Sequence, residues 1–217
     1  MSESRPLVDD AVLRAAAQVM TAHGWHEFTL ERVAQAAGVS RVTLYRRGIT
    51  RDSLVDALTV GAAQAWQSAL WPALTGPGTA AERLVAALRA CCEVVEQHLA
   101  LLAGLSTAPD PVFHLDDAGD ASGRDTRAVY VRPFERLLSD GIAEGTVRSE
   151  VDPTETATLL FNIVPRTYLH LRSAHGWEAQ RVTTGLLDLL LTGLLTGSRT
   201  PKGPDHGHQH RGPRAHS

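Results

Sequence analysis

"TLERVAQAAGVSRVTLYRRGITRDSL", residues 29–54, decides the fold. Thr29, Ser40 and Thr50 each carry an oxygen that can accept from the backbone N–H groups of a helix's first turn, so each marks a helix start. Leu30, Val33, Ala34 and Ala37 repeat at i, i+3, i+4 and i+7, which predicts a helix of about two turns that ends at Gly38. Ser40 then caps a second short helix carrying Arg41 to Arg47, with Leu44 as the residue that faces inward. The turn "GVS", residues 38–40, is all that separates the pair. Two short helices joined by a three-residue, glycine-bearing turn have helix-turn-helix geometry, in which the N-terminal residues of the second helix enter a major groove.

Working outward, the same helical spacing recurs and strand signals are nearly absent, so the class is all-α. Upstream, Asp9 or Asp10 starts a helix through Val12, Leu13, Ala16, Val19 and Met20 that stops at His23-Gly24. Downstream, the helix from Thr50 carries Leu54, Ala57, Leu58, Ala62, Ala65, Trp66 and Ala69 until Pro72 ends it. A capping box at Thr79 and Glu82 opens a helix through Leu84, Leu88, Cys91, Cys92, Val95 and Leu99. Residues 106–123 are rich in proline, glycine and acids and read as a long loop. Helical pattern resumes from about Arg124 to Ile142 with Pro133 bending or breaking it. It resumes again from the Asp152-Pro153 start, with Pro165 inside and Gly176 at the end. A last helix runs from Glu178 to about Thr196. This gives three expected units: residues 1–55, a helix-turn-helix DNA-binding domain; residues 56–198, a second helical domain; and residues 199–217, a tail too poor in apolar residues to order itself. His206, His208 and His210 alternate in that tail, a spacing that suits weak metal chelation but assigns no metal site.

Composition narrows the function. The chain has 217 residues, a formal net charge of -3, and no apolar run long enough for a membrane span. Its N-terminus has acids where a signal peptide needs a basic flank, so a cytoplasmic location is expected. The acids sit mainly in residues 61–198, while Arg41, Arg46, Arg47 and Arg51 form a local basic patch, and it is the local patch that steers DNA. Cys91 and Cys92 are sequence neighbours on a helix and point about 100° apart, which excludes a disulfide between them. No nucleophile, base and orienting group are spaced for catalysis, and no phosphate loop or metal cluster occurs in the body of the chain. No catalytic residue and no cofactor is therefore assigned.

The residues Thr29, Val33-Ala34, Ala37-Gly38-Val39-Ser40, Thr43-Leu44-Tyr45 and Leu54 together resemble the N-terminal domain of the TetR family of dimeric transcriptional repressors. The resemblance implies that Thr29, Tyr45 and Arg51 contact the phosphate backbone and that Arg41, Val42 and Thr43 approach base edges. Arginine offers a fork for guanine, Thr43 donates or accepts, and the Val42 methyls suit thymine. Arg46 fits either task, Arg47 fits phosphate, and Ser40 caps the reading helix. Two departures stand out. Arg47-Gly48 replaces the histidine and large apolar residue usual in the family, so Ile49 is expected to fill the vacated slot, with Gly48 at positive φ. Glu31 brings a carboxylate near the groove.

The resemblance further implies a homodimer formed through the last two helices, a palindromic operator and a small-molecule effector. Leu186, Leu189, Leu190 and Leu194, with Gly185 and Gly193, suit either that seam or an internal core. Candidate effector residues are Trp66, Trp71, His98, Tyr130, Phe134, Phe161, Asn162, Arg166 and His170, which are aromatic or polar positions on apolar helices. A second reading stays open through Gly48 and Glu31: a helical dimeric sensor or protein-binding module that has lost sequence-specific DNA binding.

Overall fold

The structure, a computed structural model, describes residues 8–106 and 126–195. Ten helices are described: α1 (Asp10–Glu27), α2 (Leu30–Ala36), α3 (Arg41–Arg46), α4 (Arg51–Thr75), α5 (Ala80–Gln97), α6 (Leu99–Leu105), α7 (Thr126–Tyr130), α8 (Arg132–Ala143), α9 (Pro153–Ser173) and α10 (Ala179–Leu194). Among the described residues the sole extended pairing is an isolated bridge between Val147 and Leu195. The expected all-α class is what is found. The expected loop at 106–123, beyond Ser106, and the histidine-bearing tail lie outside the described residues.

Side-chain caps fix most helix starts. Asp9, Thr29, Ser40, Thr50, Thr79, Asp152 and Glu178 each accept from a first-turn N–H of the helix that follows. At Thr50 and Thr79 the capping box is complete, with Ser53 and Glu82 returning the hydrogen bond. α1 departs from helical geometry at Gly24 (φ 75°), where a stop was expected, and one further turn brings Trp25 inward.

Two expectations need correction. Pro72 does not stop α4. The helix continues to Thr75, closed by Gly76 N–H donating to Pro72 O at 2.8 Å, because Leu70 and Ala73 on either side of the proline are buried in the core. The helix from Thr79 does not run through Leu99: it breaks at His98 (φ -113°, ψ 20°) and restarts as α6. The break lets α6 point Leu101 into one hydrophobic cluster and Leu102 against another. The break expected at Pro133 is found: the pattern forms two helices, with Val131 between α7 and α8 and the proline in the first turn of α8, where its missing N–H costs nothing.

The two clusters organise the molecule. One gathers Val12, Val19, Met20, Phe28, Val33, Leu44, Ile49 and Leu54 from α1 to α4, together with Leu101 of α6. The other gathers Leu84, Leu88, Cys91, Phe134, Leu137, Leu138, Val164 and Tyr168 from α5, α8 and α9, with Trp66 and Leu70 of α4. Each fully buried leucine stabilises the fold by about 1.5–3 kcal/mol relative to exposure. α4 contributes to both clusters and so ties them together. Cys91 and Cys92 are free and buried as small apolar residues. Burial pushes both thiols up, Cys92 to about 11, which leaves no thiolate near neutral pH. Among the described residues no helix is long and apolar enough to cross a membrane.

A polar clasp joins α5 to α9. Arg172 grips Glu96 with both ends of its fork, Nε to Oε2 at 2.8 Å and Nη2 to Oε1 at 2.6 Å, while Tyr168 donates its hydroxyl to Oε2 at 2.9 Å. The Arg172 hydrogen bonds hold the Glu96 carboxyl below its ordinary value of 4.5, assisted by Tyr168 and opposed by burial. A carboxyl depressed on folding contributes stability that is complete above its unfolded value and drains away as pH falls through the folded value. The Arg172→Met variant is therefore expected to melt below wild type at pH 7. The gap between the two melting temperatures should narrow as the pH is lowered from about 5 to about 3; a constant gap would assign the loss to packing alone.

Candidate nucleic-acid interface

The helix-turn-helix is held by two identical chain endings. At the end of α2, Val39 N–H donates to Ala34 O (3.0 Å) and Gly38 N–H to Gln35 O (3.1 Å). At the end of α3, Ile49 N–H donates to Leu44 O (3.0 Å) and Gly48 N–H to Tyr45 O (2.9 Å). Both are Schellman motifs, which require a left-handed residue directly after the cap, and Gly38 (φ 68°) and Gly48 (φ 70°) supply it. Each turn then drives the next apolar residue inward. Ile49 is 1% exposed and packs in the same cluster as Leu44, so the slot left by Gly48 is filled by its neighbour, as expected.

With Leu44 and Ile49 anchored, α3 presents its other face to solvent. Val42 is 57% exposed and Tyr45 79% exposed, high values for residues of their apolar area. Ser40 Oγ caps α3 through Thr43 N–H (3.1 Å) and also hydrogen-bonds Thr43 Oγ1 (2.8 Å), which fixes the Thr43 hydroxyl at the helix start. Thr29 does the same for α2 through Arg32 N–H at 3.3 Å.

The basic residues divide by what already holds them. Arg46 is exposed and makes no hydrogen bond or ion pair among the described residues. Arg41 stands 3.9 Å from Glu31, both exposed, a loose pairing that salt and water weaken. Arg47 is drawn back to Asp9 at 2.6 Å. Asp9 also caps α1, and the Val12 N–H keeps its carboxyl below the ordinary value against the opposing effect of burial, with Arg47 assisting.

Arg51 differs from its expected phosphate role. Its Nε donates to Phe28 O (3.1 Å), its Nη2 to Trp25 O (3.3 Å), and its guanidinium carbon lies 4.5 Å from the Trp25 ring centroid. It thus closes the open carbonyls at the end of α1 and stacks on the ring beneath. A sequence signal for this existed: an arginine at the first position of α4 opposes the positive end of the helix dipole, so it needs another partner. Trp25 in turn lies against Gly104 of α6, where an added Cβ would stand 2.0 Å from a ring atom. Neither Trp25 nor Gly104 was singled out from sequence, because nothing in their local pattern reveals a contact across 79 positions.

The candidate effector residues do not form one group. Trp66, Tyr130 and Phe161 meet, with ring centroids 5.6–6.0 Å apart, and Phe134 is buried in the same cluster. Trp71 is exposed, at the far end of α4. His98 lies elsewhere, in a shallow hollow of about 300 Å³ with Leu13, Arg14 and Gly61, and burial lowers its pKa. Asn162 is occupied in donating to Thr158 O (2.8 Å). Arg166 and His170 are exposed, and His170 Nε2 faces His175 Nε2 at 3.1 Å. The face shared by Asn162, Arg166 and His170 thus turns away from the aromatic cluster. A cleft of about 720 Å³ between α5, α9 and α10, lined by Arg89, Glu93, Gln180, Thr184 and Asp188 among others, was not foreseen.

Two short capped helices over a common core, with an exposed reading face and unspent arginine, define a helix-turn-helix DNA-binding protein. Comparison with known proteins places it further. Residues 12–58 match the model of the bacterial regulatory proteins of the tetR family. The chain superimposes on the ketosteroid transcriptional regulator KstR2 of Mycobacterium tuberculosis with a TM-score of 0.63 at 21% identity, over 90% of this chain and 97% of that one. A TetR/AcrR-family regulator of Thermobifida fusca gives 0.64 at 20% identity, over 87% and 97%. FadR of Bacillus subtilis, solved in complex with stearoyl-CoA, gives 0.59 at 17% identity, over 84% and 97%. No curated protein matches the chain in sequence. The N-terminal helix-turn-helix segment is therefore similar to that of the tetR family, and the chain as a whole shares the fold of these regulators.

The two Schellman endings make a stability test. Gly48→Ala puts a Cβ on a left-handed residue and is expected to cost roughly 1–2 kcal/mol. Ile49→Ala leaves a cavity beside Leu44 and is expected to cost about 2–5 kcal/mol. Denaturant titration of both variants measures the two values, and a neutral Ile49→Ala would contradict its role as the anchor of α3.

Proposed function

We propose that this chain is a ligand-responsive repressor that binds a palindromic operator as a homodimer in the cytoplasm and is released by a small-molecule effector. The exposed, firmly seated face of α3 carries the reading: Val42 and Tyr45 stand out from a helix whose Leu44 is fully buried. In it Arg41, Val42 and Thr43 approach base edges, and Thr29, Tyr45, Arg46 and Arg47 engage phosphates, Arg47 by exchanging Asp9 for DNA. Arg51 orients the reading head from within rather than touching the backbone. Glu31 holds Arg41 at the groove and yields it to guanine, which removes the main reason to read Glu31 as hostile to DNA. On this reading residues 1–55 are the DNA-binding domain, and residues 56–198 hold the effector and the dimer seam.

Dimerisation through α9 and α10 is supported by Leu159, Ile163 and Leu189, large apolar residues left exposed on those two helices. An effector in the second cluster would act through α4, which spans both clusters, and through α6, whose Gly104 backs Trp25. A shift in either changes the separation of two reading helices that must fit successive grooves. One structural relative, FadR of Bacillus subtilis, was solved in complex with stearoyl-CoA, which is consistent with an effector of some kind.

Binding to DNA upstream of the gene, measured by mobility shift against salt, is expected to give a log–log slope near about -7 for a dimer making eight phosphate contacts. Arg41→Ala with Tyr45→Ala should abolish the sequence preference; a wild-type protein without any preference would end the repressor reading. Separately, Leu189→Glu is expected to convert a dimer to a monomer in sedimentation velocity. A variant that stays dimeric would move the seam off α10.

A further inference from the structure

The C-terminal end of α9 holds a pair of histidines away from both the reading head and the aromatic cluster. His170 lies in the last turn of α9 and His175 in the turn that follows, both exposed, with their Nε2 atoms 3.1 Å apart. The chain between them is braced. Ala174 N–H donates to His170 O at 2.9 Å, and Trp177 N–H returns to Leu171 O at 3.1 Å across Gly176, whose φ is 63°. Arg172 Nη1 donates to Trp177 O, and the Arg181 guanidinium lies 4.1 Å from the Trp177 ring centroid. Arg172 brings no uncompensated charge to the turn, since Glu96 pairs with it at 2.6 Å. His175 is thus set against His170 by the turn as well as by the meeting of the rings.

Ring geometry separates a straight hydrogen bond from a chelating pair. A straight N–H···N bond between nitrogens this far apart would hold the ring centres about 5.4 Å apart. Two imidazoles that bind one ion through Nε2, each about 2.05 Å from it and about 100° apart, have nitrogens about 3.1 Å and ring centres about 4.9 Å apart. The observed separations are 3.1 Å for the nitrogens and 4.8 Å for the ring centroids. These values fit the second arrangement, in which both nitrogens lean toward one point beside the line that joins them. Neither Nδ1 has a hydrogen-bond partner among the described residues, so each ring is free to carry its proton there and leave Nε2 as a bare lone pair.

Donor type selects the ion. Ca2+ and Mg2+ take oxygen ligands, whereas Zn2+, Ni2+ and Cu2+ take imidazole nitrogen, with Cu2+ held most tightly of the three. Among the described residues no third His, Cys, Asp or Glu joins the pair, so the protein supplies two ligands and water takes the remaining positions. We propose that His170 and His175 form an exposed site for a divalent transition-metal ion, bound through both Nε2 atoms. The site stands on its own geometry and does not depend on the repressor reading.

The tail histidines His206, His208 and His210 would compete for metal, so they are changed to Gln in every full-length protein tested. Titration calorimetry with CuCl2, ZnCl2 and MgCl2 in a non-coordinating buffer is expected to show about one equivalent of Cu2+ per chain, weaker uptake of Zn2+ and none of Mg2+. The electron paramagnetic resonance spectrum of the Cu2+ complex should show coupling to imidazole nitrogen. His170→Gln and His175→Gln should each abolish that equivalent, while His26→Gln, at an exposed histidine on α1, leaves it intact; circular dichroism checks that all three fold. Undiminished Cu2+ uptake in either of the first two variants, its loss with His26→Gln, or a spectrum without nitrogen coupling would overturn the proposal. So would a protein that takes up no Cu2+, or one that prefers Mg2+.

Discussion

Trp25 rests against α6 because residue 104 has no side chain, and the position of the reading head depends on that contact. A Cβ at Gly104 would stand 2.0 Å from the ring, so α6 approaches as closely as a backbone can. The same ring carries the Arg51 guanidinium, whose hydrogen bonds to Trp25 O and Phe28 O join the end of α1 to the start of α4. Cation and ring attract each other directly, and both groups are partly withdrawn from water, where such contacts are stronger. The backbone of α6, the Trp25 ring and the Arg51 guanidinium therefore form one continuous seam. Movement of α6 cannot leave α4 and α1 behind without breaking it.

The reading helix shows how few residues are needed to place a functional surface. α3 has six residues and would not be stable alone. Ser40 holds its start, Gly48 turns its end, and Leu44 and Ile49 nail its underside to α1, α2 and α4. Because the anchors are buried, the face opposite them is exposed, and Val42 and Tyr45 stand on it in water. The basic residues around it are graded: Arg46 is open, Arg41 is loosely paired, Arg47 is borrowed by Asp9 and Arg51 is committed. Arginine count overstates the charge available to a phosphate.

The interior of the second cluster follows a different rule. Most of its polar groups are spoken for, as in the Glu96–Arg172–Tyr168 clasp, and its two thiols are made inert by burial. Against that background the unpaired indole N–H of Trp66 and two unpaired guanidinium nitrogens, on Arg83 and Arg127, stand out among the described residues, since an unpaired buried donor keeps the cost of leaving water with nothing in return.

The sequence by itself determined the helices and the reading motif. Caps at Thr29, Ser40, Thr50, Thr79 and Asp152, and glycines at 38 and 48, act within a few residues, so their consequences are local and legible; even the replacement of a missing anchor by Ile49 could be read in advance. Where the reading failed, the deciding partner was distant. Pro72 could not stop α4 against the burial of Leu70 and Ala73, and no local signal broke the chain at His98, where α6 turns to serve two clusters at once. Arg51 reads in sequence as a phosphate ligand, and its contacts with Trp25 and Phe28 arise only in the fold. The effector candidates were chosen by residue type, yet only the packing of α4, α7 and α9 separates Trp66, Tyr130 and Phe161 from Asn162, Arg166 and His170. Tertiary structure decided these points because hydrophobic burial has no direction along the chain, and which apolar faces meet depends on every helix at once.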